Sequence, residues 1–88
     1  MTEKETEYWL ERQTRDLPAQ DGSTHPYTTF RSVWHAYDRL LDLYGYTPAQ
    51  LLGYVYEEME LQGVSFDRAF RGVVGYLDDE IRAQLGAF

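Results

Sequence analysis

Large apolar side chains recur at helical spacing in the middle of the chain. Between residues 29 and 44 they follow one another at steps of three or one: Phe30, Val33, Trp34, Tyr37, Leu40, Leu41 and Tyr44. This spacing puts them on one face of a helix and is typical of a face that packs against a core. Gly45 comes next and readily takes the left-handed conformation that ends a helix. We therefore predict a core-facing helix over residues 29–44.

A second helix is predicted over residues 48–62. Thr47 is a capping residue, Pro48 suits the first helical position, and Gln50 completes a capping box. Gly63 is the expected stop. The inward positions are apolar, namely Leu52, Val55, Tyr56 and Met59. The connection to the preceding helix is short, so the two helices are expected to pack antiparallel.

A last helix is predicted over residues 66–84, with Ser65 as its cap. Its apolar stripe comprises Phe66, Phe70, Val73, Leu77, Ile81 and Leu85. Two i,i+4 ion pairs are expected on its outer side, Asp67 with Arg71 and Asp78 with Arg82. Gly72 and Gly75 lower its helix propensity. We attribute both glycines to the close approach of a neighbouring backbone.

The N-terminal part is predicted to form a helix with a narrow apolar stripe over residues 2–16, followed by a linker over 18–28. Its shared face would carry Trp9, Leu10, Gln13 and Leu17, with Glu11 and Arg15 paired at i,i+4. Pro18 would end it, since the residue before a proline avoids the helical region. The linker is rich in turn formers. The predicted fold is all-α, a three-helix bundle plus an N-terminal helix in a single domain, 1–88.

Composition narrows the classes of function. The chain has 88 residues and no cysteine, which excludes disulfides, thiolate metal sites and a thiol nucleophile. No segment approaches the roughly 20 apolar residues that span a bilayer. The N-terminus has no apolar run behind a basic start, so no secretory signal is expected. A cytoplasmic location and no membrane partner are the resulting expectations.

The chain is acidic, with a formal net charge of −7 and a single lysine among its basic residues. This balance repels nucleic-acid phosphates and favours basic partners. No lysine or arginine lies between Arg39 and Arg68, an interval rich in carboxylates and tyrosines. We predict a partner-binding face within it, formed by Tyr46, Tyr54, Glu57, Glu58, Glu60 and Leu61. The alternative is a solvated face that keeps the protein in solution, and the number of tyrosines and the lack of basic residues favour the binding face.

The favoured hypothesis is a non-enzymatic interaction module without a cofactor. It would bind a protein with a basic surface, as an inhibitor or antagonist of a nucleic-acid-handling complex, by charge complementarity or partial nucleic-acid mimicry. A homodimer is the alternative, with contacts from Tyr8, Trp9, Tyr46 and Tyr54. A DNA-binding helix-turn-helix is weaker. The turn over residues 62–65 resembles that motif and precedes Arg68 and Arg71, but acidic residues flank it.

An enzyme is the least favoured reading. Glu57-x-x-Glu60, followed by Asp78, Asp79 and Glu80, resembles the acidic helices that hold magnesium in all-helical nucleotide pyrophosphohydrolases. The second Glu-x-x-Asp of those enzymes is absent, and so is the Glu-x-x-His of bundle di-metal sites. His35 lies one turn from Asp38, yet a surface histidine explains it better than a general base. We therefore predict no catalytic and no metal-binding residue.

Overall fold

The computed structural model describes residues 2–19 and 21–86, which form four helices and one β-hairpin. In chain order these are α1 (Glu3–Leu10), β1 (Arg12–Pro18), β2 (Thr24–Phe30), α2 (Arg31–Asp42), α3 (Pro48–Gln62) and α4 (Phe66–Leu85). The two strands form an antiparallel sheet, in which Arg12 lies opposite Phe30 and Pro18 opposite Thr24. The all-α prediction is therefore wrong, and the fold is a small mixed α/β fold.

The hairpin replaces the second half of the predicted N-terminal helix and most of the predicted linker over residues 18–28. Residue 20 of that linker lies outside the described part. The helix ends at Leu10, and neither the predicted extent over residues 2–16 nor the Glu11–Arg15 pair is found. Glu11 instead pairs with Arg31, at 2.9 Å between carboxylate and guanidinium. The Arg31 N–H also donates to the Glu11 carbonyl at 2.8 Å, which closes the base of the hairpin.

Alternating side chains explain why these residues form strands. One face of the sheet turns inward and carries Gln13, Arg15, Leu17, Tyr27 and Thr29, all buried or partly buried. The intervening residues are exposed, apart from the partly buried Phe30, and include the hydroxyls of Thr14 and Thr28, which bond across the strands at 2.6 Å. β-branched and aromatic residues favour such a half-buried pleated surface. Gly22, with φ of 87°, supplies the left-handed backbone of the connecting turn.

The core lies where α2, α3 and α4 meet under the inner face of the hairpin. Its largest fully buried side chains are Trp34, Phe70, Leu40, Leu51, Val55 and Val74. Trp34 links the layers, because its indole Nε1–H donates to the Gln13 carbonyl of β1 at 2.8 Å. The predicted apolar stripe of α2 is confirmed, as Trp34, Tyr37 and Leu40 are all buried. Helix α1 has no buried residue and packs on α2 from outside.

The predicted helix ends of α3 and α4 are confirmed. Thr47 and Gln50 form both hydrogen bonds of a capping box, and Gly63 ends α3 in the left-handed region with φ of 64°. The Ser65 hydroxyl accepts from the Arg68 N–H at 3.2 Å. The expected role of Gly72 and Gly75 is wrong, since a Cβ at either position would meet nothing within 4 Å. No neighbouring backbone requires these glycines.

The position of Asp78 also differs from the prediction. Its pair with Arg82 was expected on the outer side of α4, but Asp78 is only 3% exposed. It accepts two hydrogen bonds from Arg39 of α2, at 2.9 and 2.7 Å, and lies 3.6 Å from Arg82. The hydrogen bonds from Arg39, reinforced by the charges of Arg39 and Arg82, lower the pKa of this carboxyl although burial acts in the opposite direction. This ion pair ties α2 to α4.

Within the described part of the chain, no helix combines the length and the apolar character needed to cross a membrane.

Candidate interaction site between α3 and α4

The outward stripe of α3 follows from where the helix begins and from the positions of its apolar residues. Because the helix begins at Pro48 and turns its apolar residues to the core, positions 54, 57, 58 and 61 share the opposite side. Tyr54 is 46% exposed and Leu61 70% exposed. Glu57 is exposed as well, whereas Glu58 is partly buried. The predicted orientation of the stripe is therefore confirmed for three of its residues and in part for Glu58.

A groove of about 530 Å³ runs between the second half of α3 and the first half of α4. Its lining residues are Glu58, Gln62, Val64, Arg68, Ala69, Gly72, Val73 and Tyr76. A second hollow of about 260 Å³ shares Glu58, Val73 and Tyr76 with it and adds Tyr54, Glu57 and Leu77. We call these two connected hollows the α3–α4 groove. Gly72 lines the groove, and a Cβ at this position would meet nothing within 4 Å.

Aromatic and apolar surface is concentrated in the α3–α4 groove. Tyr76 is 66% exposed and stands on α4 in the same hollow as Tyr54 of α3. Val73 and Leu77 are partly buried and pack against the core. Sequence reasoning missed Tyr76, although its position between Val73 and Leu77 places it outside the buried stripe. A large aromatic residue beside an apolar stripe was the signal that could have identified it.

Negative charge in and beside the α3–α4 groove is not neutralised by the protein. Glu57, Glu58 and Glu60 form no ion pair with any described residue, whereas Glu11, Asp38, Asp67 and Asp78 each pair with an arginine. Arg68 also lines the groove and forms no ion pair within the described chain. The site is therefore an apolar cleft that carries the carboxylates of Glu57 and Glu58 on α3 and the guanidinium of Arg68 on α4.

The structure brings together only some of the predicted partner-binding residues. Tyr54, Glu57 and Glu58 line the α3–α4 groove. Glu60 and Leu61 are exposed on α3 but do not line it, and Tyr46 packs against the core from the loop before α3. The site that the geometry defines thus exchanges three predicted residues for Val73, Tyr76 and Leu77 of α4.

The aromatic residues of the predicted homodimer contact are unequally accessible. Tyr8 is 46% exposed like Tyr54, but Trp9 is partly buried and its ring contacts His35 edge-on at 4.8 Å between centroids. Tyr46 is also partly buried. The homodimer remains a prediction that draws on half-buried side chains.

Three of the charged residues considered for DNA binding and catalysis have structural partners, namely Arg71, Asp38 and Asp78, whereas Arg68 forms no ion pair within the described chain. Arg71 pairs with Asp67 at 2.9 Å. Asp38 accepts two hydrogen bonds from Arg15, so it does not orient His35, which is partly buried rather than on a solvated surface. Asp78 lies beneath two arginines. Among residues 2–19 and 21–86, no three histidine or carboxylate side chains are grouped as a metal site would need.

Comparison with protein-family models, with curated protein sequences and with solved structures finds no significant match to this chain.

Proposed function

We propose that the chain is a non-enzymatic interaction module that binds a basic segment of another protein in the α3–α4 groove. The observation that carries this proposal is the convergence of exposed tyrosines and unpaired carboxylates on one cleft. Tyr54 and Tyr76 stand in the same hollow as Glu57 and Glu58. None of the four side chains forms part of the buried core, so packing of the fold does not require them there.

The apolar part of the groove supplies the contact area. Tyrosine offers large contact area at a small cost in conformational entropy and is enriched where binding energy is concentrated. Val73 and Leu77 line the same hollow as the two tyrosines and offer apolar surface that a partner's side chain would cover. Burial of apolar surface contributes about 25 cal/mol per Å², so covering a few of these side chains would contribute favourably to the free energy of binding.

The charges decide the kind of partner. Carboxylates at an interface speed association with basic partners and set the register of the contact, more than they add affinity. Glu57, Glu58 and Glu60 repel a nucleic-acid backbone, which makes a protein the favoured ligand. A lysine or arginine flanking an apolar side chain fits the groove. Arg68 disfavours a uniformly basic segment and favours one with an acidic or polar end.

Inhibition of a nucleic-acid-handling protein is the form of this function that we favour. A basic surface that normally binds phosphate offers arginine and lysine side chains at which the carboxylates of α3 would compete. The net charge of −7 is modest for a full nucleic-acid mimic. Local charge complementarity at the groove is therefore the mechanism we propose.

The double variant Glu57→Lys, Glu58→Lys tests the proposal. Wild-type and variant chains would be used for cross-linked affinity capture from expressing cells, with the captured proteins quantified by mass spectrometry. The matched control is Glu3→Lys, Glu5→Lys, which makes the same change in net charge on exposed residues of α1. We expect a basic protein that is captured by the wild type and by the control but lost with the α3 variant. Equal capture by all three chains would show that the α3 carboxylates do not select the partner.

A further inference from the structure

A polar cleft lies on the hairpin side of α4, separate from the α3–α4 groove. It has a volume of about 240 Å³ and is lined by Arg12, Tyr27, Thr28, Thr29, Phe30, Asp67 and Arg71. We call it the hairpin cleft. The two sites share no lining residue. Asp67 and Arg71 lie one turn apart on α4. The residues that follow them, Arg68 and Gly72, line the α3–α4 groove on another side of the helix.

The Asp67 carboxylate of the hairpin cleft is already engaged by neighbouring side chains. One oxygen of the Asp67 carboxylate accepts from the Tyr27 hydroxyl at 2.6 Å. The other forms an ion pair with the Arg71 guanidinium, at 2.9 Å. Burial, together with the hydrogen bond to Asp67, raises the pKa of Tyr27 to about 12, so its hydroxyl keeps the proton that it donates. The only carboxylate among the residues that line the cleft is thus engaged by one hydrogen bond and one ion pair.

The donors of the hairpin cleft exceed these acceptors. A guanidinium carries five N–H groups in a planar fork. Arg12 forms no ion pair with a described residue, and its guanidinium lies over the Phe30 ring, 5.3 Å from the centroid. Arg71 contributes only one nitrogen to its contact with Asp67. With two arginines and one aspartate, the cleft has a local excess of positive charge on an otherwise acidic molecule.

Thr29 adds an unpartnered hydroxyl. The residue is 4% exposed, and its Oγ1 has no hydrogen-bond partner. A buried hydroxyl without a partner is costly, which makes it an uncommon feature of a native fold. The Thr29 Oγ1 is enclosed by the surrounding protein, so the contacts available to a ligand in the cleft come from the two arginines.

We propose that the hairpin cleft binds a tetrahedral oxyanion, of which a phosphoryl group is the common biological form. Such a group has only acceptor oxygens available to the site and matches guanidinium forks in geometry and charge. A cation would face two arginines, and a neutral donor would find the Asp67 oxygens occupied. A small phosphorylated molecule fits the volume of the cleft.

Titration of the full chain with inorganic phosphate tests the site. Backbone amides of Thr28 and Thr29 and the Nε–H groups of Arg12 and Arg71 would be followed by ¹H–¹⁵N NMR, with chloride at equal ionic strength as the reference. We expect saturable shifts at these four residues with phosphate and none with chloride. Shifts that do not saturate, or that chloride reproduces, would contradict a specific site.

Arginine variants locate the binding. Arg12→Gln and Arg71→Gln are each expected to weaken phosphate binding by about tenfold or more, the effect of losing a charge-assisted hydrogen bond. Arg68→Gln is the matched control, since this α4 arginine lines the α3–α4 groove instead. Arg12→Gln is the decisive variant, because Arg12 is not required to balance a carboxylate of the fold. Unchanged affinity in Arg12→Gln, or an equal loss in Arg68→Gln, would overturn the assignment.

The class of anion is settled by two further titrants. Sulfate has the shape of phosphate and is expected to shift the same four residues, whereas planar acetate is expected to bind at least about tenfold more weakly, because it offers fewer acceptor oxygens to two separate guanidiniums. Acetate binding as tight as that of phosphate would show that the cleft takes carboxylates rather than tetrahedral oxyanions.

Discussion

The side of the molecule where α2 meets the hairpin and α4 differs from the side where α3 meets α4 in how charge is used. On the first side, Arg15 and Asp38 form two hydrogen bonds at 2.7 and 3.1 Å between β1 and α2. The Arg15 guanidinium also lies over the Trp34 ring, 4.9 Å from its centroid. Arg39 and Asp78 form the corresponding link between α2 and α4. We call this the paired side.

The α3–α4 side has charges and surface without such partners. Glu57, Glu58 and Glu60 form no ion pair with described residues. Tyr76 is exposed beside them, and Gly72 faces open space. The same helix, α4, contributes to both sides, so the contrast arises within one short segment of the chain.

The difference separates charges that determine the fold from charges that are free to meet a ligand. A carboxylate removed from water is tolerated only with hydrogen-bonded counter-charges, and Asp78 has them. An exposed carboxylate contributes little to stability either way. The fold therefore constrains the paired side strongly and leaves the α3–α4 side open to selection for binding.

The largest effect is expected from Asp78→Asn. The change removes the counter-charge of Arg39 and leaves a guanidinium with poorer partners inside the fold. Breaking a buried pair in this way costs about 3–5 kcal/mol, and we expect about 2–4 kcal/mol because Arg39 is partly exposed. Urea denaturation followed by circular dichroism measures the loss. The exposed neighbour Asp79, changed to Asn, is the control and should alter the free energy of unfolding by less than about 0.5 kcal/mol.

The same pair predicts the pH dependence of stability. The folded-state pKa of Asp78 lies below its ordinary value of 3.8. The pair therefore stabilises fully above that ordinary value, and the stabilisation is lost as pH falls through the lowered pKa. Asp78→Asn should consequently lose less stability than the wild type as the pH falls below about 4. Parallel curves would mean that Asp78 does not titrate as a paired carboxyl.

The sequence predicted the three helices of the core but not the hairpin of the paired side. The helices α2, α3 and α4 were predictable because each combines a 3.6-residue apolar period with residue-specific end signals, such as the Thr47–Gln50 box. The hairpin was missed because its inner face is mostly polar. The Gln13 carbonyl accepts a hydrogen bond from the Trp34 indole, and Arg15 is paired with Asp38. Neither contact can be read from the local sequence pattern. Alternation of apolar and polar residues was therefore invisible in β1.

The candidate site shows the same limit. The outward stripe of α3 could be predicted from one helix alone, and Tyr54, Glu57 and Glu58 were identified in that way. Tyr76 and Val73 belong to the site only because α4 packs beside α3. Asp78 was placed outside because an aspartate is ordinarily exposed. Its burial depends on Arg39, a residue 39 positions earlier in the chain.

An intermediate effect of opposite sign is expected from Gly72→Ala. A helical glycine costs about 0.8–1 kcal/mol relative to alanine, and the new methyl group would meet nothing within 4 Å. We expect a gain of up to about 1 kcal/mol in the free energy of unfolding. The same methyl group narrows the α3–α4 groove, so partner capture should weaken while stability rises. Gly63→Ala is the contrasting variant, because its φ of 64° makes alanine strained there.

The smallest effect on stability is expected from Glu57→Gln, Glu58→Gln. Glutamine matches glutamate in size and helix propensity, so the double variant removes the two charges and little else. We expect the free energy of unfolding to change by less than about 0.5 kcal/mol per site, measured by urea denaturation beside Asp78→Asn. A loss of stability comparable to that of Asp78→Asn would mean that these carboxylates form stabilising contacts within the folded protein. The contrast between the two sides would then disappear, and with it the reason for treating the α3 carboxylates as available to a partner.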